Sequence, residues 1–124
     1  MANRSVLYVE DDPVNVLLMQ GILELHGGCQ LLVARSGSEA CTTVAERQVD
    51  LVLCDQHLPD AAGDQLLARL REVGLPTRVP AVLVTAEPGY LAATLAERGG
   101  FDAFWTKPLD VAGTLRSLER WLDR

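Results

Sequence analysis

The sequence predicts an α/β fold, a (βα)5 arrangement in which one doubly wound, five-stranded parallel sheet is covered by five helices. Two observations predict it. Five short apolar runs alternate with amphipathic stretches along the 124 residues. Four of these runs are continuously apolar rather than alternating, which is typical of parallel strands buried on both faces. Right-handed crossovers between such strands place helices on both sides of an open sheet.

The predicted strands are short, and each is followed by a polar or turn-forming stretch. The fifth is the aromatic run Ala103-Phe104-Trp105, the only one with an alternating character. Length separates these runs from helices, because strands of four to eight residues are common and helices are longer. We predict the first four strands at residues 6–9, 31–34, 51–54 and 81–84.

The first predicted helix begins after Asp12, a residue type that caps helix N-termini, with Pro13 in the first turn. It ends at Gly27-Gly28, because glycine adopts the backbone conformation that stops a helix. Six residues with the spacing i, i+3, i+4, i+7, i+8 and i+11 form one apolar stripe, which we expect to be the buried face. They are Val14, Leu17, Leu18, Gly21, Ile22 and Leu25.

The next three helices have recognisable beginnings or ends. Ser36 and Glu39 form a capping box that opens the second helix. The third is predicted from about residue 63 to 73. The fourth is predicted from about residue 89 to 98, and Gly99-Gly100 ends it.

The last predicted helix is amphipathic. Arg116 and Arg120 are expected to face water, because they lie on the side opposite the apolar residues. The expected buried stripe consists of Val111, Leu115, Leu118 and Leu122.

Composition and charge restrict the possible functions. The chain has 17 acidic and 11 basic residues and a formal net charge of −6. This balance argues against direct nucleic-acid binding, because phosphate backbones are bound by clustered Lys and Arg. The length suits one domain, and we expect residues 1–124 to be that domain, with no output domain.

The sequence gives no sign of export or of a membrane anchor. The N-terminus leads directly into the first strand, and no apolar run is long enough to span a bilayer. The three cysteines show no metal or redox spacing, so we expect reduced thiols. We therefore expect a soluble, cytoplasmic protein.

Polar side chains follow four of the five predicted strands at their carboxyl ends. In an open α/β sheet, ligands bind beyond this edge. The segments that reach it are residues 10–12 (Glu-Asp-Asp), Asp55, Thr85 and residues 106–107 (Thr-Lys).

The carboxylates at this edge need a counter-charge. Adjacent strands would bring Glu10, Asp11 and Asp55 together, and like charges at close range are unfavourable. A hard cation such as Mg²⁺ neutralises an oxygen-only ligand set of this kind. Lys107, the only lysine in the chain, would supply further positive charge from the last strand.

Five motifs in order along the chain resemble the receiver domain of two-component response regulators, over essentially its whole length. Any one of them is weak evidence, but their order and spacing together are specific. The resemblance also implies the flavodoxin-like strand order 2-1-3-4-5. The motifs are residues 9–12, residues 55–59, Gly63, residues 84–86 and residues 100–108.

The resemblance implies a phosphorylation switch that assists its own phosphorylation and dephosphorylation but is not an enzyme. Asp55 would accept a phosphoryl group from the phosphohistidine of a sensor histidine kinase or phosphotransfer protein. Mg²⁺ would be bound by Glu10, Asp11 and Asp55, together with the backbone carbonyl of His57. A carboxylate is a weak nucleophile, so such a site acts by positioning and charge neutralisation.

The same resemblance implies the parts of the switch. Lys107 would pair with Asp55 and then with the phosphoryl group, Thr85 would donate its hydroxyl to that group, and Phe104 would be the switch aromatic. The signal would leave through the fourth helix, fifth strand and fifth helix, a surface that is also a possible homodimer interface. Three neighbours are expected to tune the lifetime of the phosphoryl group: His57, Ala86 and Glu87.

Several alternatives stay open or are disfavoured at this point. The chain is either a stand-alone regulator or a receiver excised from a hybrid kinase. A binding module that never carries phosphate is disfavoured by the intact Asp, Thr and Lys set. A flavin mononucleotide carrier is disfavoured because acids follow the first strand, where a phosphate-binding loop needs backbone N–H groups. Zinc at His57 is disfavoured because no second His or Cys is expected nearby.

Overall fold

The computed structural model describes residues 3–122, in which five strands alternate with five helices. The strands form one parallel sheet in the order β2-β1-β3-β4-β5, which confirms the predicted fold class and topology. The strands are β1 (Arg4–Val9), β2 (Cys29–Ala34), β3 (Leu51–Asp55), β4 (Ala81–Thr85) and β5 (Ala103–Thr106). The helices are α1 (Pro13–His26), α2 (Gly37–Glu46), α3 (Gly63–Glu72), α4 (Gly89–Gly99) and α5 (Val111–Leu122).

The sheet separates two main apolar layers, because alternate residues of a strand point to opposite faces. On one face Leu7 and Val9 of β1 pack with side chains of α2 and α3. On the other face Val6 and Tyr8 pack with side chains of α1 and α5. All five residues of β3 and of β4 are buried, as expected for central strands covered on both sides.

The N-terminus and C-terminus of α1 follow the prediction. The Asp12 side chain accepts a hydrogen bond from the backbone N–H of Val14, and Pro13 is the first helical residue. Gly27 ends the helix with a φ of 78°, which glycine adopts without steric cost.

Of the predicted buried stripe of α1, only Ile22 is buried. Four of its large side chains are exposed, and beside Ile22 the helix buries Met19 and Leu23, which lie outside the stripe. Asn15 lies on the same side of the helix as Met19 and Ile22, and its amide donates to a carboxylate oxygen of Glu10 at 3.1 Å. Apolar residues lie on nearly every side of α1, so periodicity alone did not single out the buried face. The exposed four are Val14, Leu17, Leu18 and Leu25.

Two smaller corrections concern α5 and α2. Val111 is exposed rather than buried, and Thr114 takes its place in the interior. The expected exposure of Arg116 and Arg120 is confirmed. Ser36 caps α2 by accepting from the N–H of Glu39, but the Glu39 carboxylate reaches the N–H of Arg35 rather than that of Ser36.

The loop between β3 and α3 is held from both ends. The Asp60 carboxylate accepts from the backbone N–H groups of Gly37 and Ser38 and so caps α2 across the loop. These hydrogen bonds hold the pKa of Asp60 below its usual value. The N–H of Gly63 donates to the carbonyl of Gln56 at 2.8 Å, which brings the start of α3 against the end of β3.

No helix within residues 3–122 combines the length and the apolar character needed to cross a membrane.

Gly63 should be essential for the packing of this loop. A Cβ at Gly63 would clash with the carbonyl oxygen of Asp55 and come within 2.9 Å of the Cα of Gln56, so Gly63→Ala forces backbone atoms apart. We expect a loss of about 2–3 kcal/mol in the free energy of unfolding, measured by urea denaturation. Gly89→Ala is the control, because nothing lies within 4 Å of a Cβ there. Equal stability of the two variants would contradict the prediction.

Candidate functional site

The predicted polar residues do meet at the carboxyl edge of the sheet. Glu10 follows β1 and Asp55 ends β3, and these two strands are neighbours with Val9 opposite Cys54. Carboxylate oxygens of Glu10, Asp11 and Asp55 all lie within 4.8 Å of one another. Glu10 and Asp55 are buried, whereas Asp11 is exposed at the mouth of the site. The sheet topology therefore places three acids around one point.

Lys107 lies between the two buried carboxylates. Its Nζ is 2.5 Å from Oε1 of Glu10 and 3.4 Å from Oδ1 of Asp55, and only 16% of its side chain is exposed. The backbone N–H of Lys107 donates to the carbonyl of Thr85, and the peptide bond to Pro108 is cis. An ion pair between Lys107 and Asp55 was predicted. The structure contains this pair, but Lys107 lies closer to Glu10.

The ionised form of Asp55 is electrostatically unfavourable at this position. Burial and the adjacent charge of Glu10 raise the pKa of Asp55 to about 6, although Lys107 acts in the opposite direction. At neutral pH the group is mostly ionised, yet it binds a proton more readily than an ordinary aspartate. A bound cation would relieve this repulsion.

Glu10 and Lys107 form an ionised pair. Burial alone would raise the pKa of Glu10, but the hydrogen bond and charge of Lys107 outweigh it and hold that pKa below its usual value. Burial likewise opposes the charge of Lys107, but Glu10 and Asp55 raise the pKa of the ammonium above its usual value. Lys107 therefore neutralises only one of the two buried carboxylates.

The end of β4 forms the opposite side of the site. Thr85 is fully buried, and its hydroxyl oxygen accepts from the backbone N–H of Glu87 at 3.2 Å. That leaves the hydroxyl hydrogen available to a further acceptor. Ala86 is exposed next to it. The side chain of Glu87 reaches the exposed ring of His57, with Oε1 2.8 Å from Nε2, so these two side chains connect the loops after β3 and β4.

The two aromatic residues of β5 lie on opposite faces of the sheet. Phe104 is half-buried and packs beside Leu83 and Leu95, toward α4. Trp105 packs into the layer shared with α1 and α5. Phe104 is thus adjacent to β4 and α4, and its switching role stays a prediction.

Two polar contacts of the site were missed at the sequence level. The buried hydroxyl of Tyr8 donates to Oε1 of Glu10 at 3.2 Å, and Asn15 donates to the same oxygen. Burial, followed by the charge of Glu10, raises the pKa of Tyr8 far above its usual value. The sequence signal for Tyr8 was its position two residues before Glu10, because residues two apart along a strand lie on the same face of the sheet. No comparable signal pointed to Asn15.

The ligand set suits a hard divalent cation. Within the part of the chain that the structure describes, the only group of three or more potential metal-ligating side chains is Glu10, Asp11 and Asp55. These are oxygen donors only, which Mg²⁺ and similar ions prefer. The zinc alternative finds no support, because the ring of His57 lies outside this group and contacts Glu87.

Comparison with known proteins agrees with this geometry. Residues 6–119 match the family model described as the response regulator receiver domain. The chain belongs to the response regulator receiver family. One relative is DivK, a polar-differentiation response regulator of Brucella ovis, which is 29% identical over 119 residues, 96% of each chain.

Solved structures of receivers superpose closely on this one. The receiver domain of a sensor histidine kinase from Pseudomonas aeruginosa, with a magnesium ion coordinated in its active-site cleft, shares 26% identity and a TM-score of 0.87. The match covers 99% of this chain and 100% of that chain. The receiver domain of a histidine kinase from Syntrophus aciditrophicus shares 27% identity and a TM-score of 0.83, covering 97% and 90%.

Membership of the family gives the coarse function. The chain is a receiver of two-component signal transduction, a phosphorylation switch of the kind that histidine kinases phosphorylate. It carries the acidic cluster that can hold a divalent cation beside Asp55.

Asp55 should lower the stability of the metal-free receiver at neutral pH. Its pKa rises from 3.8 to about 6 on folding, so the folded state binds the proton more tightly. Its contribution to stability is therefore present below pH 3.8 and is lost as the pH rises through about 6. Asp55→Asn removes this pH-dependent loss of stability. Because solvent at the mouth of the site screens the charge, we expect the loss in the wild type to be only about 1–2 kcal/mol near pH 7.

The measurement is urea denaturation of both proteins with a chelator present, at about pH 5 and about pH 7.5. The advantage of Asp55→Asn should grow with pH. Asp60→Asn serves as a control, because the pKa of Asp60 is lowered in the folded state from 3.8 and its contribution is lost only at pH values below 3.8, so its stability difference from the wild type should not change between the two pH values. A stability difference between wild type and Asp55→Asn that does not change with pH would refute this account.

Proposed function

We propose that Asp55 accepts a phosphoryl group from the phosphohistidine of a sensor histidine kinase or a phosphotransfer protein. The observation that carries the proposal is the position of Asp55, a buried carboxylate 3.4 Å from the ammonium of Lys107 and clustered with the acids Glu10 and Asp11. An oxygen of Asp55 attacks phosphorus, the P–N bond breaks, and the imidazole leaves with a proton. The product is an acyl phosphate on Asp55.

The residues around Asp55 supply positioning rather than a general base. With a pKa of about 6, Asp55 is mostly ionised at neutral pH and needs no proton removed. Its weak nucleophilicity is offset when the phosphoryl group is held in line and its charge is neutralised. Lys107 supplies positive charge 3.4 Å from Asp55, and Thr85 supplies a hydroxyl at the end of the neighbouring strand β4.

The proposed cofactor is Mg²⁺. When bound, Mg²⁺ supplies positive charge to the phosphoryl oxygens and to the crowded carboxylates. Asp11 and Asp55 would hold it by their side chains, and Glu10 would act through a coordinated water. The backbone carbonyl of His57 as a further ligand stays a prediction.

Lys107 and Thr85 would then convert phosphorylation into a conformational change. Lys107 leaves its contacts with Glu10 and Asp55 for a phosphoryl oxygen, and the Thr85 hydroxyl donates to another. This draws the loop after β4 inward and vacates space beside β4, which Phe104 fills. The altered surface comprises α4, β5 and α5, and the new dianion shifts the population toward this form.

Three neighbours are proposed to tune the lifetime of the acyl phosphate. His57 and Glu87 form a contact between the loops after β3 and β4. They follow Asp55 and Thr85 by two residues each, so we expect this contact to limit the access of water to the acyl phosphate. Ala86 leaves the Thr85 side open because its side chain is small. Self-dephosphorylation through attack of that water is part of the proposal.

The proposal holds equally for a stand-alone regulator and for a receiver of a hybrid kinase. The proposed place of action is the cytoplasm, which is typical of receiver domains. A homodimer through α4, β5 and α5 stays a prediction.

The competing function is a module that acts by protein contact alone and never carries phosphate. A phosphorylation experiment distinguishes this module from a phosphate-accepting receiver.

Phosphorylation should be confined to Asp55 and depend on Mg²⁺. Incubation with Mg²⁺ and a small acyl phosphate should add one phosphoryl group to the wild type, detected by intact-protein mass spectrometry, and none to Asp55→Asn. A chelator should abolish the gain, because the carboxylates then repel the donor. Asp60→Asn is the matched control, an aspartate in the same loop but outside the acid cluster. Failure of the wild type with both acyl phosphate and phosphohistidine donors would favour the contact-only module.

Lys107 should not be replaceable by arginine. The ammonium occupies a narrow position between Glu10 and Asp55, and a planar guanidinium is larger and cannot follow one phosphoryl oxygen in the same way. We expect Lys107→Arg to reduce the rate of phosphorylation about tenfold or more at unchanged net charge. The measurement is the time course of the mass gain together with tryptophan fluorescence.

The reverse exchange, Arg98→Lys, is the control, because 64% of the Arg98 side chain is exposed and it pairs with Asp64 away from the site. It should behave as wild type. If Lys107→Arg phosphorylates at the wild-type rate, the chain's only lysine has no special role.

A further inference from the structure

Three side-chain donors converge on a single carboxylate oxygen of Glu10. Oε1 accepts from the hydroxyl of Tyr8 at 3.2 Å, from the amide of Asn15 at 3.1 Å and from the ammonium of Lys107 at 2.5 Å. The other oxygen, Oε2, accepts from the backbone N–H of Asp12 at 3.3 Å. Each carboxylate oxygen offers about two lone-pair sites, so the three donors are more than Oε1 needs while Lys107 is in place.

The two neutral donors matter most when Lys107 is away from Glu10. Only 1% of Glu10 is exposed, and a buried carboxylate that loses its counter-ion is strongly destabilised. Tyr8 belongs to β1 and Asn15 to α1, so both keep their places when the side chain of Lys107 moves. The carboxylate therefore keeps two hydrogen bonds on Oε1 after the ammonium has left.

The hydroxyl of Tyr8 serves Glu10 alone. The ring of Tyr8 is fully buried in the apolar layer shared with α1 and α5, where it would pack in the same way without a hydroxyl. Within residues 3–122, the only hydrogen-bond partner of this hydroxyl is Glu10. Burial of a hydroxyl is unfavourable unless it is hydrogen-bonded, so packing alone does not explain a tyrosine at this position.

We propose that Tyr8 and Asn15 are positioning residues that hold the Glu10 carboxylate while Lys107 moves from Glu10 to the phosphoryl group. The role rests on the proposed function, in which Lys107 leaves its resting contacts. The two donors lower the free energy needed to separate the ammonium from Glu10, because the carboxylate is not left without partners. They also keep Glu10 in its place beside Asp11, where the cation is proposed to bind.

A purely structural role for Tyr8 makes a different prediction. If its hydroxyl only stabilises a buried carboxylate, removal of the hydroxyl changes stability equally with and without Lys107. In the proposed role, the removal has a small effect at rest and a larger one once the ammonium has left. Lys107→Met imitates that departure without phosphorylation, because methionine is uncharged and of similar length.

A double-mutant cycle of Tyr8→Phe and Lys107→Met tests this coupling by urea denaturation at about pH 8, where carboxylates are ionised. Tyr8→Phe should raise the unfolding equilibrium constant by a factor about fivefold larger in the Lys107→Met protein than in the wild type. Tyr90→Phe is the matched control, because 80% of this second tyrosine is exposed, and it should have no effect in either protein. Equal effects of Tyr8→Phe in the two proteins overturn the proposal.

The rate of phosphorylation by a small acyl phosphate tests the role in the reaction. Such a donor brings no partner protein into contact with α1. Tyr8→Phe and Asn15→Ala should each slow the mass gain about three- to tenfold, because Lys107 leaves Glu10 less readily. Gln20→Ala is the control for Asn15→Ala, since Gln20 is an exposed amide on the same helix and its partner is Glu24.

A spectroscopic signal of Lys107 reports the movement of the ammonium. Lys107 is the only lysine of the chain, so lysine labelled isotopically at its ε-carbon gives one NMR signal. Mg²⁺ with beryllium fluoride, a stable mimic of the phosphoryl group, should shift this signal in the wild type. The beryllium fluoride concentration at the midpoint of the shift should rise about three- to tenfold in Tyr8→Phe and stay unchanged in Tyr90→Phe.

The outcomes distinguish this role from the proposed function. A wild type that accepts no phosphoryl group overturns the proposed function and the role together. A wild type that is phosphorylated on Asp55, while Tyr8→Phe and Asn15→Ala react at the wild-type rate, overturns the role alone. The role is also overturned if the signal of Lys107 stays in place in a wild type that is phosphorylated.

Discussion

The structure depends on one crowded electrostatic cluster at the carboxyl edge of the sheet. Glu10 and Asp55 are buried side by side, and the single ammonium of Lys107 lies between them. Two carboxylates and one ammonium leave a negative charge without a partner in a partly desolvated place, an arrangement that is unfavourable unless something else supplies positive charge. The first, third and fifth strands must all end at the same point for this cluster to form.

This cluster connects stability to function. The hydrogen bond from Lys107 keeps Glu10 ionised, while burial beside Glu10 raises the pKa of Asp55 to about 6. The site is therefore ready for a cation and for an incoming phosphoryl group, both of which would relieve repulsion. Functional sites commonly reduce stability in this way, because the interactions that serve chemistry are not those that best stabilise the fold.

The same cluster also contacts α1. Asn15 donates to Glu10 from the side of the helix on which Met19 and Ile22 are buried. In this orientation of α1, Ile22 and Leu23 are buried, whereas Val14, Leu17 and Leu25 are exposed. The helix therefore contributes a polar contact to the site on one side and exposes apolar side chains elsewhere.

The sequence by itself determined the five βα units, the caps at Asp12 and Ser36, and the polar residues at the strand ends. These features are encoded locally, in runs of apolar residues and in single capping residues, so a linear pattern contains them. Only the tertiary structure decided which side of α1 is buried, that Lys107 lies closer to Glu10 than to Asp55, and that Tyr8 and Asn15 support Glu10. Each of these depends on contacts between residues distant in sequence or on the rotation of a helix with several apolar sides. Packing and buried charge select one arrangement among those that the periodicity allows.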